Sequence, residues 1–94
     1  MIRDFVDKET RRLAIGLRSR RLPAEMQPKA MRLLRQMAEC EDWNELRNPP
    51  GNKLHALHGD REGQYALWIN RQWRIAFTPV DGALADVEVT DYHD

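Results

Sequence analysis

The stretch that decides the fold runs from residue 64 to residue 90 and reads QYALWINRQWRIAFTPVDGALADVEVT. Its apolar residues recur at every second position, which is typical of strands that bury one face. Polar residues at 70–72 and the pair Asp81–Gly82 divide it into three segments. The pattern predicts an antiparallel meander with these residues on its buried face: Tyr65, Leu67 and Ile69; Trp73, Ile75 and Phe77; Ala85, Val87 and Val89.

The residues before this stretch follow a helical period instead. Asp7 can cap a first helix that begins near Lys8, with Leu13 and Leu17 on one face. Pro23 then interrupts the chain. A second helix is predicted from about residue 24 to residue 40, because four apolar residues fall at i, i+3, i+4 and i+7: Ala30, Leu33, Leu34 and Met37.

Shorter segments complete the secondary structure. IRDFV at 2–6 is predicted to form a short first strand, and RNPPGNK at 47–53 reads as a loop. Lys53–Leu57 is a further candidate strand. We therefore expect an α+β fold, in which N-terminal helices pack on one face of a small, twisted, antiparallel-rich sheet.

Composition limits the class of protein. The 94 residues are enough for a single domain with one modest core. No apolar run approaches the ~20 residues of a membrane span, and the first residues lack the apolar segment of a secretory signal. The single cysteine, Cys40, cannot form an internal disulfide. These features predict a cytoplasmic protein without a membrane partner.

Charge is divided unequally between the two halves of the sequence. Residues 1–40 hold ten lysines and arginines against five acidic residues, and residues 41–94 hold five against ten. The first half is therefore +5 and the second −5. This asymmetry is explained equally well by ordinary solvated helix faces and by a basic surface for nucleic acid.

Several polar side chains interrupt the apolar pattern of the second half. Arg74 alternates with Trp73 and Ile75, so we expect it on the sheet face that the helices leave uncovered. Arginine binds phosphate, and histidine with carboxylate can exchange a proton near neutral pH. This inventory suits phosphodiester chemistry if the following residues meet Arg74 in one cleft: His55, His58, Arg61, Asp91, Tyr92 and His93.

Each of these residues also has a simpler explanation. Polar residues at strand ends are usually exposed, and Arg61 with Asp60 can form a turn ion pair of little energy. His55 and His58 do not share a face of a strand, and one cysteine cannot complete a zinc site, so no metal is expected. The sequence contains no glycine-rich phosphate loop and no nucleophile elbow.

The segments LRNPPGNKLHALHGDREGQYALWINRQWRIAF (46–77) and VEVTDYHD (87–94) together resemble the HigB-type killer-protein toxins of the RelE superfamily. Three motifs in matching order are similar: GDREGQY, QWRI followed by Phe77, and DYH. The resemblance implies a single RelE-like domain over residues 1–94 that cleaves messenger RNA at the ribosome without a metal or organic cofactor. It also implies a helix-turn-helix, HigA-type antitoxin, with operator DNA contacted only through that antitoxin.

The resemblance implies roles for individual residues. Asp91, Tyr92 and His93 match the family's DYH and would form the acid/base and positioning group. Arg74 matches the arginine expected to hold the scissile phosphate. The remaining site candidates are RNA or phosphate contacts: Arg61, His55 and Gln72, the last in place of a family asparagine.

One position departs from the family pattern. Many members carry lysine before the glycine of GDR, whereas this sequence has His58. Histidine is only partly cationic at neutral pH, so this departure bears on how strongly the site stabilises a charged transition state. We assign His58 as a second acid or electrostatic helper.

The mechanism that these groups allow is attack of a 2′-OH on the adjacent phosphate, which DNA cannot follow. It requires a base, an acid for the departing 5′ oxygen and positive charge around the phosphate. The sequence does not decide which residue is base and which is acid. The alternative is a non-catalytic module that binds RNA, ribosome or antitoxin and acts in transcriptional autoregulation.

Overall fold

The computed structural model describes residues 1–92 and confirms the α+β fold. Two α-helices are joined to four strands by loops and short 3₁₀ turns, and the antiparallel sheet has its strands in sequence order. The bounds are α1 (Lys8–Ala14), α2 (Gln27–Glu39), β1 (His55–Ala56), β2 (Tyr65–Trp68), β3 (Trp73–Val80) and β4 (Ala83–Asp91). The strands β1 and β2 are shorter than the alternation in the sequence predicts.

The first helix is shorter than its apolar pattern. Asp7 caps it as predicted, accepting a hydrogen bond from the Thr10 amide at 2.7 Å. The helix ends at Ala14, because Gly16 adopts a φ of 86° that a right-handed helix cannot continue. The prediction that Leu17 lies on the buried face beside Leu13 is wrong, since Leu17 is 46% exposed.

The second helix begins with a 3₁₀ turn, Ala24–Met26, and becomes α-helical at Gln27. Pro28 lies in its first turn, where a missing backbone N–H costs nothing. The helix packs on the sheet through residues that are all buried: Ala30, Leu33, Leu34 and Met37. Ile75 and Phe77 of β3 meet this apolar stripe, so one core lies between α2 and the sheet.

A β-bulge changes the phase of β4. Near the hairpin turn Thr78 pairs with Ala85, but farther along Ala76 pairs with Glu88. Phe77 therefore faces two residues of β4 instead of one. The core side of β4 carries Leu84, Val87 and Val89, whereas sequence alternation placed Ala85 with the two valines.

Residues 1–6 lie along the outer edge of β4 in a parallel direction. They form two isolated bridges, Ile2 with Leu84 and Phe5 with Val87, instead of the predicted regular strand. Beyond these bridges the Val89 amide donates to the Thr10 hydroxyl at 3.0 Å. The first ten residues thus satisfy edge groups that would otherwise be open to pairing with another chain.

The bond between Thr10 and Val89 yields a stability prediction. Thr10 is 1% exposed, so Thr10→Val keeps the packing volume but leaves the buried Val89 amide without its acceptor. We expect the free energy of unfolding to fall by about 1–3 kcal/mol. Urea unfolding measures this loss. Thr10→Ser retains the hydroxyl, and it should lose less than Thr10→Val; the reverse order would contradict the hydrogen-bond explanation.

Candidate functional site

The sheet face opposite α2, called the outer face below, has a floor of small side chains. Ala66 and Ala76 lie opposite each other on β2 and β3, and both are fully buried. Leu57 joins them in a second, minor apolar cluster. Register places His55 beyond Ala66 and Glu88 beyond Ala76, so the two alanines form a low floor between polar side chains.

Tyr92 covers part of this floor. Its side chain packs against Leu57, Ala66 and Ala76, and the Arg61 guanidinium carbon lies 5.7 Å from the centre of its ring. Arg61 Nη1 also forms an ion pair with Glu88 Oε1 at 3.1 Å and donates to Gln64 Oε1 at 2.9 Å. The structure therefore brings Arg61 and Tyr92 together, as the sequence predicted. The Asp60 partner considered for Arg61 is replaced by Glu88.

Arg74 occupies the outer face but is not exposed there. The side chain of this residue is buried, with 8% of the residue's surface accessible. Its Nη1 lies 2.6 Å from the Asn70 carbonyl oxygen and 3.2 Å from the Trp73 carbonyl oxygen. Arg74 therefore lies on the predicted face, but its guanidinium folds onto the carbonyl groups of the turn between β2 and β3 and is not exposed there.

The other predicted residues are distributed around the same face. Gln72 Nε2 donates to Asp91 Oδ2 at 3.0 Å, which joins the β2–β3 turn to the end of β4. The Nδ1 atom of His55 is 2.6 Å from the Lys53 carbonyl oxygen. A carbonyl oxygen can only accept, so Nδ1 donates, and Nε2 is the basic nitrogen of a neutral His55 ring.

No contact with the residues above is described for two predicted catalytic residues. His58 is exposed and immediately precedes the 3₁₀ turn Gly59–Arg61. His93 lies outside the described residues, which end at Tyr92. The structure therefore tests neither role, and both stay predictions.

The structure adds residues that sequence reasoning missed. Alternation already places Glu88 on the outer side of β4, but no local pattern reports that it pairs with Arg61. Trp68 on β2 is approached by three cations. The Nζ atom of Lys53 lies 4.2 Å from the ring centre, that of Lys29 5.0 Å, and the guanidinium carbon of Arg74 5.8 Å.

Burial and neighbouring positive charge make the Lys29 environment unusual. Desolvation lowers the pKa of Lys29 below its ordinary value, and the positive charges of Arg32 and Lys53 lower this pKa further. The lysine stem comes from α2, whereas Lys53 follows the loop before β1. Two distant segments thus bring like charges to one ring.

The chemistry open to this face is that of positive charge and hydrogen bonding around a shallow floor. Arginine and lysine supply charge for an anion, and Tyr92 supplies a ring and a hydroxyl. Within residues 1–92, no group of three or more histidine, cysteine, aspartate or glutamate side chains is arranged to hold a metal ion. None of the helices in that range has the length and apolar character needed to cross a bilayer.

Burial of Arg74 leads to a prediction that concerns stability as well as activity. Arg74→Ala removes a charged donor from carbonyl groups of the β2–β3 turn. We expect unfolding free energy to fall by about 1–3 kcal/mol, measured by urea unfolding. Arg71→Ala is the matched control, because Arg71 is an exposed arginine of the same turn. Equal stability of the two variants would show that the contacts of Arg74 contribute nothing to folding.

Comparison with known proteins completes the description. Residues 3–93 match the HigB-like toxin family, described as the RelE-like toxin of the type II toxin-antitoxin system HigB. The chain is 32% identical to Toxin HigB-1 of Vibrio cholerae over 65 residues, which is 69% of this chain and 68% of that protein. It is 42% identical to Endoribonuclease HigB of Proteus vulgaris over 41 residues, 44% of this chain and 45% of that protein. The protein therefore belongs to the HigB-like family of type II toxins, whose members act with an antitoxin partner.

Proposed function

We propose that this protein is a ribosome-dependent endoribonuclease that cleaves messenger RNA and thereby inhibits translation. The observation that carries the proposal is the outer face, where Arg61 and Tyr92 meet over the floor formed by Ala66 and Ala76. The relative from Proteus vulgaris is named an endoribonuclease. The reaction described next uses a 2′-OH as its nucleophile. RNA carries this group and DNA does not, so the proposed substrate is RNA.

Cleavage follows attack of the 2′ oxygen on the adjacent phosphorus. The new bond joins the 2′ oxygen to phosphorus, and the bond from phosphorus to the 5′ oxygen breaks. A base takes the 2′-OH proton, and an acid delivers a proton to the leaving 5′ oxygen. The products are a 2′,3′-cyclic phosphate and a free 5′-OH. His93 with Asp91 performs proton transfer, and base and acid can be exchanged within this pair and His58.

Positive charge stabilises the phosphorane-like transition state. We assign Arg74 as the main source of this positive charge. The assignment is supported by the fixed position of the Arg74 guanidinium against the β2–β3 turn. A charge held in place costs no reorganisation when the reaction occurs. Arg61 contributes less, because Glu88 partly neutralises it. Tyr92 orients the nucleotide, while His55 and Gln72 contact the RNA backbone.

Dependence on the ribosome follows from the limited set of catalytic groups. Position 58 holds histidine instead of the family's lysine, and Nη1 of Arg74 is directed at backbone carbonyl groups. A ribosome holds the message in one alignment, which converts a loose encounter into a positioned one. The protein therefore acts in the cytoplasm, where translation occurs. Its antitoxin is a helix-turn-helix protein of the HigA type, through which it contacts operator DNA.

A non-catalytic module is the second candidate. The five positive charges in excess within residues 1–40 favour it, because a basic helical surface can bind RNA or an acidic partner without cleaving. Transcriptional autoregulation with the antitoxin would then be its role. Cleavage assays distinguish the two candidates.

His93→Ala tests the endoribonuclease directly. We expect cuts within a translated message, mapped by primer extension on purified ribosomes, to fall by about 10²–10⁴-fold when the proton-transfer group is removed. The same RNA without ribosomes should be cut poorly by the unaltered protein. Asp94→Ala, which changes the next residue in the sequence, is the control and should cut normally. Growth arrest that persists unchanged in His93→Ala, without mapped cuts, would instead support the binding module.

Position 58 provides a second test. A lysine keeps its charge throughout the neutral range, whereas a histidine holds it only in part. We expect His58→Lys to raise the single-turnover cleavage rate of a ribosome-bound message at neutral pH, and His58→Ala to lower it. If all three proteins cleave at one rate, His58 is a surface substitution without a catalytic role.

A further inference from the structure

Trp68 gathers positive charge from three separate segments of the chain. Lys29 reaches its ring from α2, Lys53 from the loop before β1, and Arg74 from β3. Strand β1 pairs with β2 only at Tyr65 and Ala66, so it does not extend to Trp68. The ring therefore lies where β2 is not covered by β1. Lys29, Lys53 and Trp68 are called the lysine–tryptophan cluster below.

The charges of this cluster are not balanced by acidic side chains. Within residues 1–92, neither Lys29 nor Lys53 forms an ion pair with a carboxylate, in contrast to Arg61 with Glu88. A nearby arginine, Arg32, adds further positive charge, as the lowered pKa of Lys29 reports. Holding like charges together is unfavourable unless something offsets their repulsion. The indole face offsets part of it by a cation–π interaction, and a bound anion would offset more.

The cluster is continuous with the candidate site. Trp68 lies opposite Arg74 in the sheet register, and Arg74 lies opposite Thr90. The neighbouring row on the same face holds the alanine floor and Glu88. Two residues along a strand span about 7 Å, so Trp68 lies beside the floor, and Lys29 reaches its ring from α2 on the other side of the sheet.

We propose that the lysine–tryptophan cluster binds a backbone phosphate of the message strand next to the one that is cleaved. The inference rests on the proposed function, because it takes the outer face as the path of the RNA. Lysine ammonium groups are compact point charges suited to a single phosphate, and the arginine expected at the scissile phosphate lies directly beside them. The cluster thus supplies binding at a neighbouring nucleotide and takes no part in the chemical step.

The test measures RNA binding without cleavage. A fluorescent oligoribonucleotide with 2′-O-methyl groups at every position cannot react, so its affinity for the protein is read by anisotropy over a series of salt concentrations starting near 20 mM. Each phosphate contact to single-stranded nucleic acid contributes about 0.7 to the slope of log affinity against log salt. The double variant should reduce the slope by about 0.7, because one phosphate contact is lost, and Lys29→Gln and Lys53→Gln should each reduce it by part of that amount.

Lys8→Gln is the matched control, because it removes the same charge from an exposed position of α1. Its slope should equal that of the unaltered protein. Thermal unfolding of all four variants identifies any that fail to fold, and Lys53→Gln tests the cluster independently of helix α2. The proposal is overturned by a slope that is unchanged in the double variant, or by a slope that falls equally in Lys8→Gln. An unaltered protein that does not bind the oligonucleotide at 20 mM salt also overturns it.

A separate measurement distinguishes this inference from the proposed function. On ribosomes loaded with a cleavable message, Lys53→Gln should raise the half-saturating concentration while leaving the saturating rate within about threefold. Binding that depends on the cluster without any cleavage would retain the phosphate site and reject the endoribonuclease. If the double variant has a normal salt slope and cleavage still depends on His93, the endoribonuclease is retained and the phosphate site is rejected. If the lysine variants weaken binding only when ribosomes are present, the bound phosphate belongs to ribosomal RNA, and the proposal of a message phosphate is rejected.

Discussion

The structure depends on the asymmetry of strand β3. One side of this strand carries Ile75 and Phe77 into the core against α2, and both are fully buried. The other side carries Ala76, which is small, and Arg74, which is charged. A strand with large residues on both faces would require a second covering layer. Because β3 has large residues on one face only, a low floor remains on which polar groups from its neighbours can meet.

The β4 bulge extends this asymmetry to the neighbouring strand. Without the extra residue, the register near the turn would continue and place Val87 opposite Ala76. With it, Val87 and Val89 stay in the core, while Glu88 and Thr90 join the outer face. Asp86 takes the left-handed φ of 51° within the bulge, and its amide donates to Asp4 Oδ1 at 2.6 Å. Residues 1–6 therefore contact β4 at the bulge, and the bulge decides which residues of β4 lie on the outer face.

Several side chains serve both folding and the candidate site. Arg74 holds turn carbonyl groups and also contributes charge near Trp68. Gln72 joins that turn to Asp91 at the end of β4. Tyr92 covers the alanine floor and lies beside Arg61. Changing such residues alters stability and activity together, so an activity loss has meaning only when unfolding is measured on the same variant.

The charge of the outer face is set by position more than by composition. The chain has no net formal charge, yet Lys29 and Lys53 converge on Trp68 from segments that the sequence places on either side of its charge boundary. Desolvation by the surrounding protein lowers the pKa of Lys29, and the charges of Arg32 and Lys53 lower it further. Trp68 lies beside the alanine floor, because it and Ala66 point to the same side of β2.

The sequence by itself determined the fold class, the meander and the family. These features have local signals that depend only on residues close in sequence. The signals are the alternation in β2 and β3, the Asp81–Gly82 turn and the amphipathic pattern of α2. Local signals failed where the outcome depended on distant partners. The bulge reversed the expected place of Ala85, and Gly16 ended α1 before Leu17. The pattern gave the face of Arg74 correctly but did not report its burial against the turn carbonyl groups.

Tertiary structure alone decided which polar residues meet. Glu88 pairs with Arg61 across 27 positions of sequence, and Lys29 approaches a ring 39 positions away. Such contacts depend on sheet register and on the packing of α2, neither of which leaves a periodic trace in the sequence. The motif DYH identified the end of β4 as important, but only the folded sheet placed its tyrosine over Ala66 and Ala76. The physical reason is that periodicity reports which face a residue occupies, whereas pairing between strands determines its neighbours on that face.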